Sequence, residues 1–276
     1  MIMEKLPCSV GVLTLNSEQT LERCLDSVKA FKEIIVCDGG SRDATLNIAK
    51  KFGARIIEQN PSFQDNHKKI IDFAGVRNQV LDNISYDWFF YIDSDEAASS
   101  ALVEEMRKII NNPNNTFIYN IPLRIFIEDK AIKYSSNYPG YQKRFFNHKK
   151  TRASFVKPVH EKIAFDDNIW KVDNLNSPWF VYWSEEEARN YLKEGERYLN
   201  MEIKRIKNMD QGDFVRFVII GNMVTSLKIL IKSLRNYIFH EFKDCMPVYV
   251  EFGRMMYHLR FIYLALKSKF QWLGRK

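Results

Sequence analysis

Three carboxylates lie close together in the chain, directly after a strongly apolar segment. Asp93, Asp95 and Glu96 follow residues 88–92, all of which are apolar or aromatic. Such a run predicts a strand buried on both faces of a parallel sheet. Its acids should then emerge at the carboxyl end of the strand, where open α/β sheets bind their ligands. Two carboxylates at this spacing can hold a hard divalent cation that also carries phosphate oxygens. A solvated acidic turn is the alternative.

The elements that must position these acids alternate between strand and helix in the first half of the chain. Apolar patterning predicts strands over 8–15, 33–37 and 54–57, with helices over 21–28, 44–52 and 68–83. This order predicts right-handed βαβ crossovers and a parallel sheet. A further helix is expected up to residue 112. Short strands follow, at 117–127 with 131–134 as a hairpin, then 142–146, 153–156, 162–165 and 179–183. Ser184 and Glu187 form a capping box that opens a helix to about residue 209.

A glycine-containing loop follows the second predicted strand. Residues 38–43 read Asp-Gly-Gly-Ser-Arg-Asp, and glycine permits a close approach of ligand to backbone. Asp38 would be a fixed acceptor at the same sheet edge as Asp93. The alternative is a tight turn in which Asp38 caps the next helix. The first strand is not followed by GxGxxG, and the sequence contains no P-loop.

Four segments, taken together, resemble a known family. Residues 13–16, 38–45, 74–78 and 93–96 look, in order and spacing, like the motifs of a family 2 glycosyltransferase. The resemblance covers about residues 8–165. It implies an α/β GT-A fold, a Rossmann-like nucleotide-diphospho-sugar transferase with a mixed sheet flanked by helices. Residues 141–146 and 158–161 resemble a bacterial subgroup that includes glucosyltransferases of the lipopolysaccharide core.

The resemblance also implies roles for individual residues at the nucleotide. Asp38 would bind the uracil, and Gly39 stands where many members of the family carry a second aspartate. Asp93 would reach the ribose or the metal. Asp95 would hold a Mg²⁺ or Mn²⁺ ion that bridges the diphosphate of a UDP-sugar. Other predicted contacts to the nucleotide are Leu15, Asn16, Arg77 and, at the diphosphate, Arg144.

Two neighbouring residues further along the chain are the best candidates for the remaining chemistry. His160 is predicted to bind the metal or a phosphate, and Glu161 to act as the general base for the acceptor hydroxyl. Glu96 is the rival base. The alternative for the pair at 160–161 is an exposed, structural His-Glu pair.

These assignments together predict a metal-dependent, inverting transferase that moves a sugar from a UDP-sugar to a glycan or glycolipid. The alternatives are a protein or peptide glycosyltransferase on the same fold and a non-catalytic protein that binds sugar nucleotides. A nucleotidyltransferase would be expected to carry a Gly-rich, basic phosphate loop after the first strand, and residues 13–16 read Leu-Thr-Leu-Asn.

Charge and composition distinguish the end of the chain from the rest. Residues 201–276 contain 14 Lys/Arg and 6 Asp/Glu, whereas residues 1–200 contain 27 and 28, so the basic excess belongs to the tail. We therefore expect no nucleic-acid partner for the catalytic domain, which we place at 1–183, with a nucleotide half at 1–98 and an acceptor half at 99–183. The extension at 184–276 is predicted to be helical and amphipathic.

The basic, aromatic helices of residues 212–276 fit an anionic membrane surface. Their longest uncharged run in the first helix, residues 217–227, has 11 residues and is too short for a span of about 20. The alternative is packing on the catalytic domain or on a second subunit. The opening residues lack a signal-peptide pattern, and Cys8, Cys24, Cys37 and Cys245 show no metal spacing. These features predict reduced thiols and a cytoplasmic protein, peripheral on the cytosolic face of the membrane.

Overall fold

The computed structural model of the protein describes residues 4–112, 116–158, 161–206 and 209–273. The strands are β1 (Leu6–Thr14), β2 (Phe31–Asp38), β3 (Arg55–Glu58), β4 (Trp88–Asp93), β5 (Glu96–Ala98), β6 (Ile118–Ile127), β7 (Lys130–Ala131), β8 (Tyr141–Asn147), β9 (Ser154–Val156), β10 (Lys162–Ala164), β11 (Val172–Asn174) and β12 (Trp179–Trp183). The helices are α1 (Leu21–Ser27), α2 (Thr45–Lys51), α3 (Phe73–Leu81), α4 (Ser100–Asn111), α5 (His148–Thr151), α6 (Glu185–Arg189), α7 (Tyr191–Ile206), α8 (Gln211–Asp213), α9 (Gly221–His240) and α10 (Val248–Leu273), with a 3₁₀ turn at Pro61–Phe63 and a π-helical segment at Phe214–Ile220.

The sheet is parallel in its first half and mixed, mainly antiparallel, beyond it, as predicted. Its strand order is β3-β2-β1-β4-β8-β6-β12-β5, with β7 and β11 also paired to β6. Strand β1 runs parallel to β2 on one side and to β4 on the other. Strand β8 then pairs antiparallel with β4. The change of direction occurs beside β4, so the acids at its end lie next to an antiparallel strand.

Burial explains why the apolar runs form the centre of the sheet. In β4, residues 88–92 are buried and only Asp93 is partly exposed. Trp88 stacks on Phe145 of β8, with ring centroids 4.6 Å apart. A strand covered on both faces has no position for an unpaired charge. The carboxylates are therefore confined to the end of the strand.

Two predicted helices and one alternative interpretation differ from the structure. The helix expected over 68–83 begins at Phe73, because Asp72 caps it by accepting a hydrogen bond from the Gly75 amide at 2.9 Å. The helix expected from Ser184 to about 209 is divided between α6 and α7, although its capping box is present. Glu96 lies in a short buried strand, β5, so the solvated acidic turn given as the alternative does not hold for this residue.

The chain divides into two compact units. One contains residues 1–124 and 139–181, and the other contains residues 125–138 and 182–276. The helices after residue 184 thus form a unit together with the segment 125–138, which includes β7. All four cysteines are free and buried.

One helix in the described part of the chain is long and apolar enough to cross a membrane, judged by length and composition. It runs from Gln211 to His240 without interruption, its most apolar stretch has a mean hydropathy of 1.8, and 17% of that stretch is buried. The expectation that this region is too short for a span was therefore wrong. That expectation counted only residues between charged side chains. An isolated charge such as Lys228 does not end the helix, so the apolar segment is longer than the uncharged run.

The packing around β1 leads to a prediction about Gly11. A methyl group at this position would lie 2.8 Å from both Phe89 Cζ and Val80 Cγ1, inside the core. Overpacking of this kind typically costs about 1–3 kcal/mol. We expect Gly11→Ala to lower the free energy of unfolding by about that amount, measured by denaturant titration.

Gly221→Ala is the matched control, because the nearest atom to its added methyl group is 3.5 Å away and the residue is helical. This variant should be neutral or more stable. An equal decrease in the free energy of unfolding of the two variants would contradict the packing described for Gly11.

Candidate active site

Three strand ends meet at one edge of the sheet. Thr14 at the end of β1 is in register with Asp38 of β2, and Leu13 is in register with Asp93 of β4. Beyond the strands, the hydroxyl oxygens of Ser17 and Ser94 lie 3.0 Å apart. This contact joins the loop after β1 to the loop after β4. The parallel order of β2, β1 and β4 therefore brings the predicted nucleotide and metal residues to the same edge.

The carboxylate of Asp38 is engaged by the loop that follows it. Oδ1 accepts hydrogen bonds from Thr14 Oγ1 at 2.9 Å and Ser41 Oγ at 2.5 Å. Oδ2 accepts from the amides of Gly40 and Ser41, both at 2.8 Å. Gly40 has a φ of 95°, a conformation that favours glycine. Asp38 thus holds the loop in shape but does not cap α2, whose N-cap residue is Ala44. Its contact with uracil stays a prediction.

Glutamines occupy the space around Gly39. A side chain at Gly39 would begin 3.2 Å from both Gln59 Oε1 and Gln64 Nε2 and 3.4 Å from Leu15 Cδ1. Gln64 donates to the Gly39 carbonyl at 3.2 Å. The second aspartate that the resemblance leads one to expect would meet these side chains. The glycine at position 39 therefore agrees with the limited space around it.

Asn16 connects the loop after β1 to the loop after β2. Its φ of 51° is left-handed, its amide donates to Ser41 Oγ at 2.8 Å, and its Oδ1 accepts from the Arg42 amide at 2.9 Å. Leu15 lies beside Gly39 in the same region. Both predicted nucleoside residues therefore border the loop that Asp38 shapes.

Arg77 joins two of the predicted acidic residues. It lies on α3 and is buried, with 4% of its surface exposed. Its Nε donates to Glu161 Oε1 at 2.6 Å, and its Nη2 donates to Asp93 Oδ1 at 2.8 Å. Burial alone would lower the pKa of Arg77, but Asp93 and Glu161 beside it raise that pKa. The guanidinium is charged and fixes both carboxylates.

Glu96 is held by a second buried arginine. Both of its oxygens accept hydrogen bonds from Arg144, Oε1 at 3.0 Å and Oε2 at closer range. Oε1 also accepts from Trp179 Nε1 at 3.1 Å, and Oε2 from the Asp93 amide at 2.9 Å. With its oxygens occupied in this way, Glu96 supports the site, and the geometry favours Glu161 over it as the base.

The ring of Tyr91 lies against both arginines. The guanidinium carbon of Arg77 is 4.3 Å from the ring centroid, and that of Arg144 is 4.8 Å away. Arg144 also lies 4.3 Å from the ring of Trp179. Aromatic faces stabilise desolvated cations. Tyr91 and Trp179 therefore help to keep two positive charges inside the fold.

Asp93 and Asp95 differ in their surroundings. Desolvation opposes ionisation of Asp93, but the guanidinium groups of Arg77 and Arg144 hold its pKa below the ordinary value. Desolvation, followed by the negative charges of Asp93 and Glu96, raises the pKa of Asp95 to about 7. Asp95 nonetheless keeps an exposed surface. A divalent cation would relieve this concentration of negative charge.

The donor set fits a Mg²⁺ or Mn²⁺ ion of the kind that also binds phosphate oxygens. Such ions often take one or two protein carboxylates, with phosphate and water as the other ligands. Asp93 and Asp95 supply hard oxygen donors in this number. His160, the predicted third ligand, lies outside the described residues. Within those residues, no group of three or more His, Cys, Asp and Glu side chains is placed to hold a metal.

Comparison with known proteins identifies the family. The sequence model for Glycosyl transferase family 2 matches residues 9–170, more than half of the chain. The chain belongs to glycosyl transferase family 2. This membership confirms the predicted GT-A fold, with its mixed sheet flanked by helices.

Two relatives share about a quarter of the aligned residues with this family 2 glycosyltransferase. An uncharacterized glycosyltransferase of Rickettsia typhi is 25% identical over 217 residues, 71% of each protein. The lipopolysaccharide core biosynthesis glycosyltransferase LpsC of Rhizobium meliloti is 24% identical over 168 residues, 61% of each.

Glucosyl-3-phosphoglycerate synthase of Mycobacterium tuberculosis, solved with Mn²⁺, UDP and glucosyl-3-phosphoglycerate, has a TM-score of 0.35 and 24% identity. The match covers 43% of this chain and 44% of that structure, so it spans less than half the length of the solved protein.

Sequence reasoning missed several residues that support the site of this glycosyltransferase. Tyr91 precedes Asp93 by two positions in β4, so the period of the strand could have placed it on the same face. Trp179 is 83 residues from Glu96, and no local spacing connects the two. Gln59 and Gln64 lie in a polar loop that carried no recognisable pattern.

The network around Glu96 leads to a stability prediction. Glu96→Gln would leave the buried Arg144 charge without its main partner, and breaking a buried ion pair typically costs about 3–5 kcal/mol. We expect a loss of that order in the free energy of unfolding.

The matched control is Glu22→Gln, which breaks an exposed pair with Lys51 and should cost less than about 1 kcal/mol. Denaturant unfolding of both variants measures the difference. A Glu96→Gln protein as stable as the control would show that Glu96 is not a structural partner of Arg144.

Proposed function

We propose that this family 2 glycosyltransferase is a metal-dependent, inverting enzyme that transfers a sugar from a UDP-sugar to a glycan or glycolipid acceptor. The observation that carries the proposal is the asymmetry of the carboxylates at the end of β4. Arginines bind Asp93 and Glu96, whereas Asp95 is exposed and has its pKa raised to about 7. An exposed carboxylate in a negative setting is suited to a cation.

The residues around the carboxylates provide the rest of a donor site. The Asp38 loop and Asn16 border the place proposed for the nucleoside, and the positive charges of Arg77 and Arg144 lie near the place proposed for the diphosphate. A bound Mn²⁺ or Mg²⁺ ion would supply Lewis-acid stabilisation of the leaving diphosphate. The fixed guanidinium groups of Arg77 and Arg144 would also stabilise the negative charge that develops on the diphosphate, and they need not reorganise during the reaction.

Glu161 is the proposed base. Arg77 holds its Oε1, and its Oε2 makes no hydrogen bond to any residue that the structure describes. In the proposed step, the acceptor oxygen forms a bond to the anomeric carbon while the bond from that carbon to the diphosphate breaks. The proton of the acceptor hydroxyl passes to Glu161 Oε2. The ion pair with Arg77 orients the Glu161 carboxylate for this role.

The acceptor is proposed to be a saccharide chain, free or lipid-linked, of the kind used to build cell-surface polysaccharide. Support comes from LpsC, whose name places it in lipopolysaccharide core biosynthesis, and from the resemblance of residues 141–146 and 158–161 to that subgroup. A lipid-linked acceptor would require the enzyme to work at the cytosolic face of a membrane.

Nucleotide binding tests the donor and the metal. We expect calorimetry to show tighter binding of UDP than of GDP, CDP or dTDP, with a gain in UDP affinity when Mn²⁺ is added. Asp95→Asn should remove the Mn²⁺-dependent gain and leave the metal-free affinity for UDP unchanged.

Asp167→Asn, at an exposed aspartate outside the site, is the matched control and should retain the gain. A full Mn²⁺ effect in Asp95→Asn would exclude Asp95 as the metal ligand.

Turnover tests the base. Glu161→Gln preserves the size of the side chain and an oxygen for Arg77, but removes the proton acceptor. We expect turnover to fall by about 10²–10⁴-fold, with UDP affinity and thermal stability unchanged. Steady-state transfer assays and thermal unfolding measure the three quantities. Near-normal turnover would rule out Glu161, and an equal loss of stability would indicate a structural role.

A further inference from the structure

The helix from Gln211 to His240 has an inverted distribution of polar and apolar residues. The buried residues of α9 are Ser226, Ser233 and Asn236, and all three are polar. Most of its large apolar side chains are instead exposed. In a water-soluble helix, apolar residues usually form the buried face. The inversion indicates that the outer face of α9 contacts something other than water.

The polar face of α9 is directed towards α10, in the same unit. Ser226 Oγ donates to the Met255 carbonyl at 3.4 Å, and Asn222 Oδ1 lies 2.8 Å from His258 Nδ1. Tyr237 OH donates to the Met246 carbonyl at 2.9 Å, at the connection between the helices. These contacts occupy the polar side chains of α9 and leave most of its apolar side chains on the face turned away from α10.

The exposed side chains form one continuous row. The row, here called the apolar stripe, consists of Ile220, Met223, Leu227, Leu230, Leu234 and Ile238. The spacings of three and four residues place all six on one face of the helix. Each of them is exposed by more than 40%. An exposed apolar surface of this extent marks a contact with a partner or a membrane.

One edge of the apolar stripe is basic. Lys228, Lys232 and Arg235 are all exposed and follow the stripe along the second half of the helix. Residues 214–240 contain no Asp or Glu. A second copy of this helix would bring the same positive charges to the contact, and like charges facing each other are unfavourable. An anionic lipid surface complements both the stripe and its edge.

The same charges distinguish a helix in the membrane plane from one that crosses the bilayer. Lys228 lies near the middle of the helix that runs from Gln211 to His240, so a spanning orientation would place it near the bilayer centre, which is costly. A helix lying in the plane keeps the basic edge at the level of the headgroups while the stripe enters the acyl boundary. The geometry points to the apolar stripe and its basic edge as a surface that inserts, in the plane of the membrane, into an anionic bilayer.

Vesicle flotation tests this surface with the full chain. We expect the protein to float with vesicles of phosphatidylglycerol and phosphatidylcholine. Leu227→Asp with Leu234→Asp should weaken binding by roughly a hundredfold or more, because charges replace two leucines that the bilayer would bury. These two residues are 56% and 51% exposed, so the fold should be unaffected. Ile169→Asp, at an apolar residue that is 63% exposed outside the stripe, is the matched control.

The basic edge has its own variant. Replacing Lys228, Lys232 and Arg235 with Gln should weaken binding to anionic vesicles by roughly a hundredfold. Lys50, Lys108 and Lys171 are exposed lysines elsewhere, and replacing these three with Gln should have little effect. Flotation needs no transfer activity, so membrane binding and catalysis can fail separately. The surface is refuted if the full chain does not float, if the stripe variant floats like the natural protein, or if the stripe only joins two copies of the chain.

Depth measurements test the orientation. A fluorescent label at Met223→Cys, Leu230→Cys or Ile238→Cys should report the same shallow depth in quenching experiments, because an in-plane helix holds all three at one level. The native cysteines are buried and should not react. A label at position 230 that lies much deeper than the other two would show a spanning helix and overturn the in-plane arrangement.

Discussion

Two buried positive charges, on Arg77 and Arg144, impose the main constraint on the site. Each side chain is 4% exposed, and an unpaired charge at such a position would be prohibitively costly. The fold must therefore bring carboxylates to them, and it does so from different parts of the chain. Asp93 comes from the end of β4, Glu96 from β5, and Glu161 from the loop before β10. The need to neutralise the two arginines thus brings these three segments together at the site.

This constraint also separates the roles of residues that look alike in the sequence. Of the three acids at 93–96, two are used to pair with arginines, and Asp95 remains exposed beside them. Desolvation and the remaining negative charge raise the pKa of Asp95 to about 7. This surplus of negative charge favours a cation bound to the Asp95 carboxylate. An electrostatic arrangement fixed in advance is what stabilisation of a leaving diphosphate requires. In this account the ion pairs that hold the fold together also prepare the site.

The sequence was informative where one physical signal dominated. Predominantly apolar runs placed β1, β2 and β4, because strands buried on both faces are mostly apolar. It was less informative where tertiary contacts decide. Glu96 reads like its acidic neighbours, but Arg144 and Trp179 draw it into a buried strand from 48 and 83 residues away. The start of α3 depends on the cap at Asp72, which periodicity alone does not show.

The central claim is that the carboxylates at the end of β4 hold the metal and the diphosphate of the donor. The most direct measurement is anomalous X-ray scattering from crystals of the enzyme soaked with UDP and Mn²⁺. The account predicts one strong Mn²⁺ peak within bonding distance of Asp95 and of a diphosphate oxygen. A peak bound elsewhere, or UDP bound at this edge with no Mn²⁺ beside Asp95, would contradict it.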